Sequence, residues 1–508
     1  VGSKVVVVEM MNKIAGPTDA EISGILQKSL EKKGVDFRLG AKVTAVEADP
    51  SASIKLTADV TANSTIASFA GSFDGNGKTV TVTTTMFSAA LAGASFKNFT
   101  MNGDTTITPF IDHVGEDSAT APITFEGITS NVNTTITTGT AAPFIGYAEK
   151  AAIVAMTDCV NNGNLNSSNQ AGAFIARTYN NSLTATFINC VNNGDITTSN
   201  SYAGGFIGML DNGKQTITID GCVNNGTISA AKSDAAGFIG DVAGSSENTV
   251  TISNSHNSGK IINNKSANEQ EKYSASGFVA RFDKGASLTI SNCLNTSAEF
   301  VSAVGHAAYF CNYMKEGTFT LTNCYYVDVN LGDLHTGALE LGEGYQMTAV
   351  TADQLASGEV AYNLGAAWGQ TIGTDAAPVI GGDVVYKYTD GTYSNTEETA
   401  PEGTEENPIQ IYAYYEIASL SVPAGETVYY AINPAMNFTG KIFAVAGEGA
   451  TVNGAASVAL PNNPMMGWPV VVAIYGGTAG ATADLIVPVG TMDNPAELTD
   501  GSASIKLD

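Results

Sequence analysis

Short runs in which apolar and hydroxyl-bearing residues alternate recur through the middle of the chain. Ile217-Thr218-Ile219, Leu288-Thr289-Ile290 and Phe319-Thr320-Leu321 are three of them, and each ends three residues before a cysteine. Period-two alternation predicts a strand with one face buried. The positions three and five before the cysteine are apolar in every copy, from Val154 and Met156 to Phe319 and Leu321. The cysteine position runs Cys159, Cys190, Cys222, Ser255 as a substitute, Cys293 and Cys324, in steps of 31, 32, 33, 38 and 31 residues. A phenylalanine keeps pace at Phe144, Phe174, Phe206, Phe238, Phe278 and Phe310. Self-similarity at such a period marks a stacked repeat.

One copy reads DGCVNNGTISAAKSDAAGFIG. After the alternating strand, Asn224-Asn225-Gly226 reads as a turn, because Asn and Gly tolerate positive φ. A second strand follows around Thr227-Ile228-Ser229, then a polar segment, then a third strand over Gly237-Phe238-Ile239-Gly240. Three strands and three turns per copy predict an all-β fold, a right-handed parallel β-helix. The longest step carries its extra residues at Ala267 to Tyr273, where an edge loop should absorb them. One cysteine per coil should form an inward stack of small thiols, about 4.8 Å from coil to coil.

These residues resemble the GLUG-type repeats of large bacterial surface proteins, in which G-G-[FL]-[VI]-G strands alternate with N-C/S-x-N-x-G-x-I turns. The likeness covers roughly residues 127–325. Upstream, Gly71-Ser72-Phe73-Asp74-Gly75-Asn76-Gly77-Lys78-Thr79 is similar to the entry of such proteins, and Gly93-Ala94-Ser95-Phe96-Lys97-Asn98-Phe99 to the rung that follows. The solenoid is therefore placed at 51–335. The resemblance implies an extracellular protein of the bacterial cell surface.

Charge narrows the partners. Asp and Glu outnumber Lys and Arg by 49 to 23 in 508 residues, a net −26. Nucleic acid is excluded, since phosphate binding needs a basic surface. No apolar run is long enough to span a membrane. The six cysteines form no C-x-x-C pair, and His113, His256, His306 and His335 are scattered, so neither zinc nor a disulfide framework is expected.

Residues 1–48 have another character. Val5 to Val8 reads as a buried strand ending in Glu9, Thr18-Asp19-Ala20-Glu21 as a capping box, and Ile22, Ile25, Leu26 and Leu30 as a helical apolar stripe closed at Gly34. Val43 to Val46 would start another strand. This β-α-β stretch resembles a fragment of the NAD-binding domain of dihydrolipoamide dehydrogenase, and the resemblance places Glu9 at the acid that holds the adenosine ribose. The glycine-rich phosphate loop, the flavin domain and the redox dithiol of that family are not among these residues, so no NAD or other cofactor is expected. The segment reads as a fusion artefact or remnant.

Beyond the repeats, 336–398 reads as a cap, with a short helix over Thr351 to Tyr362, and 399–406 as an acidic linker. A cap is needed because a last coil exposes an unpaired edge. Alternating runs from Asn407 to 490 predict a β-sandwich, and 491–508 the start of a second, truncated one. Truncation at both ends is the expectation.

Candidate chemistry is thin, and no catalytic, cofactor or metal residues are assigned. Gly75-Asn76-Gly77-Lys78-Thr79 lacks the glycine spacing of a phosphate loop and reads as a turn; Asp74 and Asn76 lack a full calcium loop. Asp195, Asp220 and Asp234 read as exposed turn acids, because no repeat position is consistently acidic. Tyr412, Tyr414 and Tyr415 offer a sugar platform or simple packing. Trp368 and Trp468 read as core or cap residues. The expectation is a non-enzymatic adhesin or stalk binding a host or dietary glycan or a surface protein. A β-helical polysaccharide lyase or glycoside hydrolase is the alternative, and a structural spacer the third.

Overall fold

Alternation in the sequence becomes alternation in burial. Strand Gln215–Asp220 hides Gln215, Ile217 and Ile219 and turns Thr216, Thr218 and Asp220 outward. The computed structural model describes residues 5–397, apart from 10, 16–17, 41–50, 117–118, 180–181, 246, 265–273, 303–305, 330, 332–345 and 389; within 398–508 it describes strand backbone. The expected insertion at 267–273, linker 399–406, Tyr412, Tyr414, Tyr415 and Trp468 lie outside the described residues.

From Ala152 to Met314 each coil has five short strands rather than three. In one coil they are Gln215–Asp220, Val223–Asn224, Ile228–Ala230, Ala235–Ala236 and Ile239–Val242. The first two belong to one continuous sheet bent at the cysteine, and the others build stacks of seven, five and eight strands. Neighbouring coils pair parallel and in register, so Ile217 meets Ala185 on one side and Val250 on the other. The extra strands arise because the Gly-Phe-Ile-Gly segment breaks at its phenylalanine, which serves two stacks at once: the amides of Phe206 and Ile207 both donate to the Phe238 carbonyl.

The interior is a set of ladders. Phe174, Phe206, Phe238 and Phe278 are fully buried, with ring centroids 4.8 to 4.9 Å apart from coil to coil. The cysteine positions stack as expected: the amides of Val191, Val223, His256, Leu294 and Tyr325 donate to the carbonyls of Cys159, Cys190, Cys222, Ser255 and Cys293. All six cysteines are free and buried. Burial pushes the Cys311 thiol up to about 12, so these are packing groups rather than nucleophiles.

Asn-Asn-Gly is not the left-handed turn expected. Positive φ falls one residue before the cysteine position, at Asp158, Asn189, Gly221, Asn254, Asn292 and Asn323. The first Asn points inward and forms a buried ladder of Asn161, Asn192, Asn224, Asn257 and Asn295. The second forms an exposed ladder, Asn225 donating to Asn193 at 2.8 Å and Asn193 to Asn162 at 2.9 Å. The glycine is there for room: a Cβ on Gly226 would lie 2.0 Å from the Gly194 carbonyl oxygen.

The long sheet presents an outward face of hydroxyls. One column runs Thr184, Thr216, Thr249, Ser287 and Thr318, and a second runs Thr186, Thr218, Thr251, Thr289 and Thr320. No bulge interrupts this register between Ala152 and Thr322. Gly75-Asn76-Gly77 lies within strand Ser72–Val82, where the register shifts between Asp74 and Lys78, so the expected turn is a bulge.

The solenoid begins at Ser53–Lys55 and ends where Met347–Val350 adds a last parallel strand. Thr351 and Gln354 form a capping box on Ala352–Ala356, and Glu359–Leu364 follows as a second helix. Leu355, Val360, Leu364 and Trp368 then cover Leu294, and the Trp368 indole donates to the Asn292 carbonyl at 3.0 Å. The cap therefore folds back on the outer side of the last coils. Burial beneath it pulls His256 down to about 4.

At the other end, Val5–Glu9 pairs parallel with Val35–Leu39, joined by helix Ala20–Glu31. The second strand thus stands at 35–39; the expected one at 43–46 lies outside the described residues. Asp19 caps the helix by accepting the Glu21 amide, in place of the capping box. The apolar stripe is uncovered, with Ile22, Ile25 and Leu26 exposed. Glu398–Asp508 is a separate unit. It contains an antiparallel sheet in the order Ile442–Gly447, Val428–Met436, Pro469–Gly476, Leu485–Thr491, Asn494–Pro495. Ser504–Ile505 pairs with Leu420–Ser421, inside the same unit.

Ladder and surface positions should respond very differently to truncation. Phe206→Ala should cost about 3–5 kcal/mol in denaturant melts. Lys232→Ala, at an exposed side chain that donates to Asn200, should be indistinguishable from wild type.

Candidate functional site

A structural ladder repeats one residue type; a column whose chemistry changes from coil to coil does something else. In the eight-stranded stack the third strand position reads His113, Tyr147, Arg177, Met209, Asp241, Arg281 and Tyr313, in register. A second mixed column lies beside it, one residue before the five-stranded stack: Gln170, Tyr202, Asp234, Ser274 and His306. It is aligned by the amides of Ala171, Ala203, Ala235 and Ala275, which donate to the carbonyls of Tyr202, Asp234, Ser274 and His306.

The two columns meet with an offset of one coil. Gln170 Nε2 reaches Met209 Sδ at 3.7 Å. Tyr202 lies within the electrostatic reach of Asp241, and Asp234 within that of Arg281. Asp234 Oδ1 accepts the Ser274 amide at 2.6 Å and lies 3.2 Å from its hydroxyl. Arg281 Nε donates to Asp283 at 2.8 Å and sits 3.9 Å from Asp241 Oδ1. Asp234 Oδ2 and Asp241 Oδ1 are buried without a hydrogen bond. Three coils before Arg281, Arg177 pairs with Asp211 and lies over the Tyr179 ring at 5.1 Å. Arg281 likewise lies 5.2 Å over Tyr313, and His113 stacks on Tyr147 at 5.1 Å.

Electrostatics follow from burial. Asp234 is fully buried and its carboxyl is pushed up to about 7, the loss of water outweighing the Ser274 hydrogen bond and Arg281. Asp241 is raised well above the carboxylate range, first by burial and then by the charge of Asp234. Burial, with Asp241 and Asp234 beside it, also raises Tyr202. Burial pulls on the Arg281 guanidinium too, but Asp283 outweighs it and the group stays charged.

Asp234 is thus not the exposed turn acid expected; it is enclosed between coils and tied to Ser274. Asp220 is half-buried and holds Ser253 and Asn254, each at 2.7 Å, while Asp195 accepts the Thr227 amide at 2.8 Å. Those two acids are rung fittings, and the structure does not bring them to Asp234. Sequence reasoning missed Asp241, Arg281 and Tyr202; the signal available was the column position shared by Arg177, Asp241 and Arg281. Among the described residues no group of three or more His, Cys, Asp or Glu is placed to hold a metal. An acid pair with raised affinity for protons can serve acid–base chemistry. Here both carboxyls are closed off from solvent, and the groups that reach the surface are the tyrosines, Met209 and the guanidinium groups.

The family model for pyridine nucleotide-disulphide oxidoreductases matches residues 1–62. That is about an eighth of the 508 residues, and the match runs past the β-α-β segment into the first solenoid strands. Within the segment, the Glu9 carboxylate accepts the Met11 amide at 3.0 Å. No curated protein and no solved structure matches the chain.

The acid pair makes a signed prediction. A carboxyl whose folded pKa is raised holds its proton when the unfolded chain has released it, so stability falls as pH rises from about 4 to about 7. Asp234→Asn should therefore melt higher than wild type at pH 8, by on the order of a few kcal/mol, and match it near pH 4. Equal melting curves at both pH values would show that Asp234 carries no burial penalty. Separately, calorimetric titration with NAD should give no heat from the full chain; micromolar affinity lost in Glu9→Ala would restore the nucleotide role to residues 1–62.

Proposed function

We propose that this chain belongs to an extracellular bacterial surface protein of the GLUG-repeat kind, a stalk or adhesin that binds glycan without catalysis. The observation that carries this reading is the mixed row on the eight-stranded stack. Tyr147 beside Arg177, and Arg281 beside Tyr313, present flat rings and planar guanidinium groups in two pairs on a rigid sheet. Such groups offer broad contact area at little entropic cost, and they suit the apolar faces and hydroxyls of sugars. The solenoid supports the stalk role, because coils saturated by parallel hydrogen bonds make a stiff rod with long faces. A net charge of −26 keeps such a surface soluble and away from nucleic acid. Among the described residues no helix is long and apolar enough to cross a membrane.

A second reading, a β-helical polysaccharide lyase or glycoside hydrolase, draws support from the raised proton affinity of Asp234 and Asp241. Their enclosure counts against it, since an acid catalyst must touch the glycosidic oxygen. The test is retention of the full chain on immobilised plant, mucin and bacterial polysaccharides. At least one class should retain it, and Tyr147→Ala with Tyr313→Ala should weaken retention by about tenfold, the effect of roughly 1.4 kcal/mol. Retention on none of them would sink the reading. Release of new reducing ends or unsaturated sugars, abolished by Asp241→Asn, would replace it with the enzyme.

A further inference from the structure

The threonine face is a separate surface on the other long sheet, and its geometry is unusual for an ordinary solvated strand. Thr184 and Thr186, Thr216 and Thr218, and Thr249 and Thr251 stand in pairs on three successive coils in strict register. The spacing is about 4.8 Å between coils and roughly 6.7 Å between the two members of a pair. Every position in these two columns from Thr184 to Thr320 is Thr or Ser, and none carries charge, in a chain whose net charge is −26. The residues between them are the buried ladder of Ala185, Ile217, Val250, Leu288 and Phe319, so the row cannot tilt or slip. Among the described residues, none of these six threonine hydroxyls is tied to another side chain. The face is thus a two-dimensional lattice of hydroxyls and methyls, fixed by the core beneath it.

That lattice selects its occupant by exclusion. A peptide cannot extend the sheet here, because every strand in it is already paired on both sides, so an occupant must bind through the outward side chains alone. An ion finds no charge in either column; the adjacent outward acid, Asp220, is tied to Ser253 and Asn254. A soluble sugar finds no aromatic ring in either column between Thr184 and Thr320 and repeats in only one dimension. A partner that repeats in two dimensions, is neutral, and bonds through hydroxyl geometry alone is solid water. Waters held between threonine hydroxyls and methyls in rank and file form a patch that a growing ice surface can incorporate. From this match we infer that the threonine face binds ice, a function independent of glycan binding on the eight-stranded stack. In a surface protein it would hold the cell to an ice boundary.

The test uses the full chain. Fluorescently labelled protein should partition into a slowly growing ice hemisphere and shape single crystals below the melting point. Thr218→Lys with Thr251→Lys should be left in the liquid like an inert control protein. Ser229→Lys, on the seven-stranded stack, should partition like wild type. Melting curves confirm that each variant folds; if the double variant does not, Thr186→Lys takes its place. Exclusion of the wild-type chain from ice, or partition of the lysine variant equal to wild type, overturns the inference. The polysaccharide retention assay reads the other face, so the two proposals fail separately.

Discussion

A side-chain amide buried in a hydrocarbon core is costly unless its donors and acceptor are met, and the asparagine ladder, unpaired only at the Asn161 acceptor of its first rung, fixes the register of the coils from 161 to 295. Asn161 donates to Asn192 at 2.9 Å, Asn192 to Asn224 and Asn224 to Asn257 at 2.8 Å, and Asn257 to Asn295 at 3.3 Å. Each also donates to a carbonyl of its own coil, as Asn192 does to Gly194 at 3.0 Å. A slip of one residue would put an apolar side chain in this file and leave an amide beside it unpaired, at a cost of several kcal/mol per coil. The phenylalanine and cysteine ladders follow from that register, since equivalent residues then fall one above another. The glycine after each Asn-Asn pair follows too, because coils held at this spacing leave no room for a Cβ.

Once the interior is locked, the outward positions are free to vary, and they carry the information. On the long sheet they settle on Thr and Ser through five coils. On the eight-stranded stack they change at each coil, from His and Tyr through Arg and Met to Asp, Arg and Tyr. The same backbone thus offers one uniform face and one heterogeneous face. The uniform face can only address a partner with its own period. The heterogeneous face can distinguish one ligand from another, because each position differs in charge, size and hydrogen-bonding sense.

The architecture was legible because period-two burial and a fixed repeat leave a direct mark on the sequence. Val154, Met156, Ile217 and Ile219 could be assigned inward from spacing alone, as could Phe206 and the cysteines. The asparagine ladder was not legible, because Asn-Asn-Gly has the composition of a turn, and only three-dimensional stacking reveals that Asn224 points inward. Asp234 misled for a related reason: it sits in the most variable, polar part of the copy, where exposure is the ordinary expectation. Its bonded partner Ser274 is 40 residues away and the Arg281 charge 47, an arrangement that no single copy displays. The site is therefore a property of the stack, whereas the ladders are a property of each repeat.

The acid pair bears on why this stack departs from its own rules. At the position of Asp241 the neighbouring copies carry Met209 and Arg281, and at the position of Asp234 they carry Tyr202 and Ser274. The coil can evidently be built with uncharged residues at both places. Two carboxyls enclosed there, each with an oxygen lacking a hydrogen bond, make the coils around 234 and 241 less stable than their neighbours at neutral pH. A stack in which each coil touches only its neighbours cannot spread that cost, so it stays local. What places Arg281 is Asp283, which accepts from its Nε at 2.8 Å, with Asp241 Oδ1 3.9 Å away and the Tyr313 ring beneath the guanidinium. The departure from the repeat and the heterogeneous face thus meet in one place: two enclosed acids in the wall of the solenoid, beside the guanidinium that reaches its surface.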